Sequence, residues 1–159
     1  MATLTRIIGA FALGGVTATA GLAESHIDPA AQKAVDARQA HMTLYAFNLA
    51  TLGGMAQDKI PYDAAMADAA AKNMAALGSV DQGAYWVEGT DAAAIDGSRA
   101  KAEIWSDRTN FETKEMALTT ASAALAEVAG TDLDSLKAAF GDLGKACGDC
   151  HETYRVPND

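Results

Sequence analysis

Two thiols and an imidazole stand together near the end of this chain, in Lys145-Ala146-Cys147-Gly148-Asp149-Cys150-His151-Glu152, and no other cysteine occurs in its 159 residues. Cys-x-x-Cys-His is the spacing at which c-type haem is attached. The two thiols add across the two vinyl groups of the porphyrin, and the adjacent imidazole takes the iron from one face. On a helix, Cys147 and His151 are one turn apart and Cys150 lies close to the same face. One turn then offers all three groups to one edge and one face of a flat macrocycle. Other chemistries of paired cysteines fit less well. A thioredoxin-like pair belongs beside a βαβ pattern, which this chain does not show. A four-ligand zinc site needs two further donors, and only His26 and His41 remain, neither at ligand spacing.

The elements that must position these groups read as helices. Half of the residues are hydrophobic and only three are proline, and much of the apolar fraction is alanine, a composition that favours helix over sheet. Asp28-Pro29 supplies an N-cap and a first-turn proline for a first helix reaching about Ala56, with apolar groups at Val35, Met42, Tyr45, Leu49 and Leu52. Gly53-Gly54 weakens the end of that helix. Asp63 caps a second helix to about Leu77, ended by Gly78. Residues from Ser79 to Gly97 are the least regular part, a long connection of the kind that is often functional; Trp86 within it calls for an apolar partner. A third helix is predicted over Arg99 to Val128. Thr131-Asp132 caps a fourth, which carries the cysteine–histidine segment and ends near Tyr154. The expected fold is all-α, an antiparallel four-helix bundle with haem bound covalently to the C-terminal helix. Trp86, Phe140 and Tyr154 are candidate aromatics for packing the haem. Met66, Met74 and Met116 read as gap-filling core residues, and Gly141 and Gly144 as permitting close approach to a flat group.

Residues 1–23 read as a secretory signal peptide. Arg6 precedes the uncharged apolar run Ile7 to Val16, and small residues follow at Ala18, Ala20 and Ala23. The run is too short for a membrane span, so no membrane insertion is expected. Residues 24–159 form one domain of a size that supports a core, expected in the periplasm, where c-type haem is attached. Cleavage removes Arg6 and moves the net charge from −9 to −10. So acidic a surface argues against nucleic acid as a partner and suits recognition of redox partner proteins through complementary basic patches.

The motif's place on the last helix, together with four other stretches, resembles the class II c-type cytochromes, the cytochrome c′ family. The stretches are Ala37-Arg38-Gln39-Ala40-His41-Met42, Lys59-Ile60-Pro61-Tyr62-Asp63, Ile104-Trp105-Ser106-Asp107-Arg108-Thr109-Asn110-Phe111 and Leu136-Lys137-Ala138-Ala139-Phe140. The resemblance implies one covalent haem c held by Cys147 and Cys150, with His151 as an iron ligand. It leaves two branches open. In the low-spin branch, of the cytochrome c-556 type, a methionine four residues after the arginine closes the sixth position, and here that residue is Met42. In the high-spin branch the iron stays five-coordinate and binds nitric oxide or carbon monoxide. Met42 and the Pro61-Tyr62-Asp63 turn favour the first, an electron carrier rather than an enzyme. The resemblance further implies that Arg38 pairs with a haem propionate and that a homodimer can form through the first two helices. Leu44, Tyr45 and Phe47 spread apolar groups around the first helix, which is compatible with such a partner.

Overall fold

The computed structural model of the protein describes residues 28–157, so the expected signal peptide lies outside the described residues. The secondary structure among the described residues is helical: α1 (Pro29–Ala56), α2 (Ala64–Gly78), the short α3 (Glu103–Ser106), α4 (Arg108–Val128) and α5 (Leu133–Tyr154), with one 3₁₀ turn at Gly83–Tyr85. The four long helices close a ring in which α1 packs on α2, α2 on α4, α4 on α5 and α5 back on α1. This is the expected four-helix bundle.

Three helix starts follow from local chemistry. The carboxylates of Asp28, Asp63 and Asp132 accept from the backbone N–H of Ala30, Met66 and Ser135, at 2.9, 2.8 and 2.8 Å. Each satisfies a donor that the first turn cannot pair internally.

The main core gathers Leu52 and Met55 of α1, Met74 of α2, Leu125 of α4, and Leu136 and Leu143 of α5, all buried. A side chain of this kind contributes about 1.5–3 kcal/mol when fully buried. Ala67, Ala70 and Ala71 give α2 a thin face against its neighbours. Helical phase decides which methionines join them. Met74 is buried, whereas Met66 and Met116 are exposed, contrary to the gap-filling role expected of all three. Gly53 is buried in α1, where a Cβ would lie 3.0 Å from Cζ of Phe140, so it serves the close approach of α5. Phe140 is thereby placed on α1, not on the haem side. Gly78 is the last residue of α2, as expected, and its carbonyl accepts from Thr119 Oγ1 of α4 at 2.8 Å.

The predicted third helix departs most from the outcome. Arg99 to Lys101 is extended and pairs with the chain end. Ala100 bridges Arg155 in antiparallel fashion, Lys101 N–H donates to the Tyr154 carbonyl at 3.0 Å, and Val156 N–H donates to that of Arg99 at 2.9 Å. The helix starts only at Glu103 and breaks at Asp107, whose φ of −126° and ψ of 52° are not helical. Tertiary pairing overrides a modest local helix propensity here. It also ties the end of α5 to the segment before α3, around a second small core of Ala100, Ile104, Phe111 and Tyr154.

Candidate functional site

Cys147, Cys150 and His151 lie in the last two turns of α5, where the 3.6-residue repeat turns them toward the interior of the bundle. They line a cavity of 580 Å³, within the range of about 300–1,000 Å³ usual for small-molecule and cofactor sites. The other walls come from distant parts of the chain: Arg38 and Met42 from α1, Trp86 from the long connection, and Tyr154 from the end of α5. Seven residues singled out from the sequence thus meet on one cavity, whereas Phe140, the third candidate aromatic, does not line it. A shallower depression of 360 Å³, bordered by Asp68, Glu127 and Thr131, offers neither thiol, imidazole nor thioether.

Both cysteines are half-buried and are not bonded to each other. Burial pushes the Cys147 thiol up; burial, with Glu115 and Cys147 nearby, pushes Cys150 up to about 11. The imidazole of His151 is held below its usual value, first by burial and then by Arg155 and Arg99. The ring is therefore neutral at neutral pH, the form that binds a metal.

Arg38 is not a solvated surface arginine. Its guanidinium is buried and donates to the Tyr85 carbonyl (3.2 Å), Thr90 Oγ1 (2.7 Å), the Thr90 carbonyl and Ser98 Oγ (2.9 Å). It also lies 5.1 Å from the centre of the Trp86 ring, at cation–π range. Burial lowers its pKa, and no carboxylate pairs with it among the described residues. One side chain therefore latches the connection across α1 and places an uncompensated positive charge on the cavity wall. An anionic edge of a ligand suits such a wall.

Trp86 packs edge-on against Phe111 at 4.8 Å, and its Nε1 donates to Glu115 Oε1 at 3.1 Å. Its carbonyl accepts from Trp105 Nε1 at 2.9 Å, so both tryptophans hold the connection in place. Tyr154 stacks edge-on with Phe111 at 5.3 Å, and its hydroxyl accepts from Asn110 Nδ2 at 2.7 Å. His41 does not reach the cavity wall. It is buried beside Tyr45, with ring centres 4.9 Å apart, and faces the end of α2. Gly141 and Gly144 are exposed and do not line the cavity, so the expected approach to a flat group at these positions is not seen.

Several cavity residues escaped the sequence reading. Tyr45, Gln82, Phe111 and Glu115 all line it. Tyr45 follows Met42 by three positions, so helical phase from that candidate ligand points to it; Glu115 follows Phe111 by four and becomes legible only once Phe111 is placed on the wall. Gln82 lies in the irregular connection, where no periodicity exists to use.

A bundle cavity that offers paired thiols and an adjacent imidazole from one helix, and a thioether from another, defines the class of c-type haem proteins built on four helices. Comparison with known proteins agrees. The family described as Cytochrome C′ matches residues 33–155, and the chain belongs to this family, the class II c-type cytochromes, whose cofactor is covalently attached haem c. Cytochrome c-554 of Cereibacter sphaeroides is 42% identical over 124 residues, covering 78% of this chain and 81% of that protein. A cytochrome c′ of the same organism is 39% identical over 126 residues, 79% of this chain and 85% of the other. The solved cytochrome c′ from Rhodobacter spheriodes superposes with a TM-score of 0.79 at 38% identity, covering 80% of this chain and 98% of that one.

Proposed function

We propose that the protein is an exported one-electron carrier whose haem is bonded through Cys147 and Cys150 and whose iron is held by His151 and Met42. The observation that carries this reading is the meeting of Met42, from α1, with the cysteine–histidine turn of α5 on a single cavity. The haem supplies reversible cycling between ferric and ferrous iron. The chain's own residues do the rest. Cys147 and Cys150 fix the porphyrin edge to α5, so the cofactor cannot dissociate. His151 presents a neutral ring nitrogen. Met42 would offer the iron a soft sulfur, and His/Met ligation raises the reduction potential. Trp86, Phe111 and Tyr154 supply flat apolar walls that exclude water, and the Arg38 charge meets a propionate. A carrier of this kind needs no substrate-binding acid or base, and we assign it no enzymatic turnover.

The test is the absorption spectrum of both oxidation states. A low-spin spectrum with a sulfur-to-iron charge-transfer band that disappears in Met42→Leu is expected. A high-spin ferric spectrum with tight carbon monoxide binding by the unaltered protein would refute His/Met ligation. That outcome belongs to a second reading, in which Met42 only shields the distal side and the protein binds nitric oxide or carbon monoxide. It draws support from a solved nitric oxide complex of a cytochrome c prime variant from Alcaligenes xylosoxidans, 34% identical with a TM-score of 0.71.

Export to the periplasm rests on Arg6, the apolar run after it and the small residues ending at Ala23. No helix among the described residues is long and apolar enough to cross a membrane. The acidic surface suits redox partner proteins with basic faces. A homodimer through α1 is supported by the exposure of Leu44 and Phe47, 52% and 72%. A related cytochrome c′, 29% identical, is known for ligand-controlled dimer dissociation.

A further inference from the structure

Glu115 is the one carboxylate on the wall of the haem cavity among the described residues. It is half-buried on α4, and its Oε1 accepts the Trp86 indole N–H. The same cavity wall holds two buried polar atoms with no hydrogen-bond partner, the Tyr45 hydroxyl and Oε1 of Gln82. Buried polar atoms of this kind are uncommon and call for an explanation. The hydroxyl can donate to an ionised carboxylate, and the amide oxygen can accept from a carboxylic acid.

We propose that Glu115 is a redox-linked proton site: it takes up one proton when the haem iron gains an electron and gives it back on oxidation. One electron comes from a donor protein and goes to ferric iron. One proton comes from water and forms the O–H bond of the Glu115 carboxyl, so reduction adds no net charge to the cavity. Keeping a buried site at constant charge is what a low-dielectric interior favours. This inference rests on the electron-carrier reading, though not on the identity of the sixth ligand.

The surroundings of the carboxyl are mixed. Arg108, Glu112 and Lys114 neighbour it on α4, Asp81 faces it from the connection, Tyr45 from α1 and Cys150 from α5; Arg38, Arg99 and Arg155 stand on other parts of the same cavity wall. Burial outweighs the nearby arginine and the indole bond, and the acid is held above its usual value before any electron arrives. An added electron moves it further in the same direction.

The experiment is potentiometric titration of the haem-loaded protein across a pH series, for the unaltered chain, Glu115→Gln and Glu115→Asp. Infrared difference spectra between reduced and oxidised protein are recorded alongside. The midpoint is expected to fall as pH rises by up to about 59 mV per tenfold change in proton concentration, between the two pKa values of Glu115. Glu115→Gln should lose that dependence. The infrared spectrum should show a carboxylic acid band on reduction that shifts in heavy water, vanishes in Glu115→Gln and moves in Glu115→Asp. An unchanged slope in Glu115→Gln, or a carboxylic acid band that persists in it, overturns the proposal, since the proton then goes to another group such as a propionate. Absence of any reversible couple in the unaltered protein would overturn the electron-carrier reading and this one with it. An intact couple with an unchanged slope overturns this one alone.

Discussion

Replacing Arg38 by methionine keeps most of the side-chain volume and removes four hydrogen bonds from α1 to the long connection and the residue after it, leaving only that of Gln39 Nε2 to the Gly97 carbonyl at 2.9 Å. Four bonds are lost, to the Tyr85 carbonyl, Thr90 Oγ1, the Thr90 carbonyl and Ser98 Oγ. Taken at a net contribution of about 1 kcal/mol each, they sum to about 4 kcal/mol. Two corrections lower this figure. The acceptors are not all orphaned, because Thr90 Oγ1 still donates to the Val87 carbonyl and Ser98 Oγ to that of Thr90. A buried cation without a carboxylate partner is also removed, and relief of that desolvation gives back roughly 1–2 kcal/mol. A net destabilisation of about 2–3 kcal/mol results, large against ordinary single substitutions. Chemical denaturation of haem-loaded protein followed by far-UV circular dichroism measures it, and amide exchange shows where it acts. The amides from Tyr85 to Ser98 should exchange faster in Arg38→Met while those of α2 and α4 stay protected. Arg38→Lys should fall between the two, because an ammonium is a point charge and cannot span four acceptors in a fork. A loss below about 0.5 kcal/mol, with exchange in the connection unchanged, would refute the latch, since that is the range of substitutions away from structural features.

Three further outcomes follow from the packing and the caps. A Cβ at Gly130 would meet Asp68 Cβ at 2.9 Å and the Ala64 carbonyl at 3.2 Å, the latter backbone, so Gly130→Ala should cost about 1–3 kcal/mol by overpacking and lower the thermal midpoint. Gly53→Ala should be milder, because its contact is the tip of the Phe140 ring and alanine gains in helix propensity; a larger loss at Gly53 than at Gly130 would contradict the geometry. The carboxyl of Asp132 is held below its usual 3.8 by the backbone N–H and hydroxyl of Ser135. A lowered folded-state pKa means stability that is complete above the unfolded value and fades as pH falls through the folded one. Acid unfolding below about pH 4 should therefore be shallower in Asp132→Asn, which still caps the helix, and an unchanged acid limb would show the cap charge to be irrelevant.

What the sequence discloses here is what acts over short range. The caps at Asp28, Asp63 and Asp132 are legible because the bonded N–H lies two or three residues ahead. The cysteine–histidine turn is legible because its chemistry needs that spacing within one helix. Met66 and Met116 are not legible as surface residues because methionine suits core and surface alike, and only the phase of the finished helix tells them apart. The extended Arg99 to Lys101 is hidden from a local reading because its partner is the chain end, more than fifty residues away for Lys101 and Tyr154. Arg38 meets Thr90 at a similar separation. Pairings of that kind leave no periodic trace, and propensity cannot announce them.

The same long-range contacts explain why this cavity has the walls it does. α5 carries the thiols and the imidazole, but α5 alone gives an open groove. The connection folds over it through Arg38, and the chain end is pinned to Arg99 and Lys101. Trp86 is thereby pressed onto Phe111, and its indole N–H reaches Glu115. Arg38, one turn before Met42, thus links the side of the cavity that would hold the sixth ligand to the wall that carries the buried acid. A substitution that frees the connection should disturb both together. Arg38→Met is therefore expected to alter the pH dependence of the reduction potential as well as stability, whereas Gly130→Ala, far from the cavity wall, should alter stability alone.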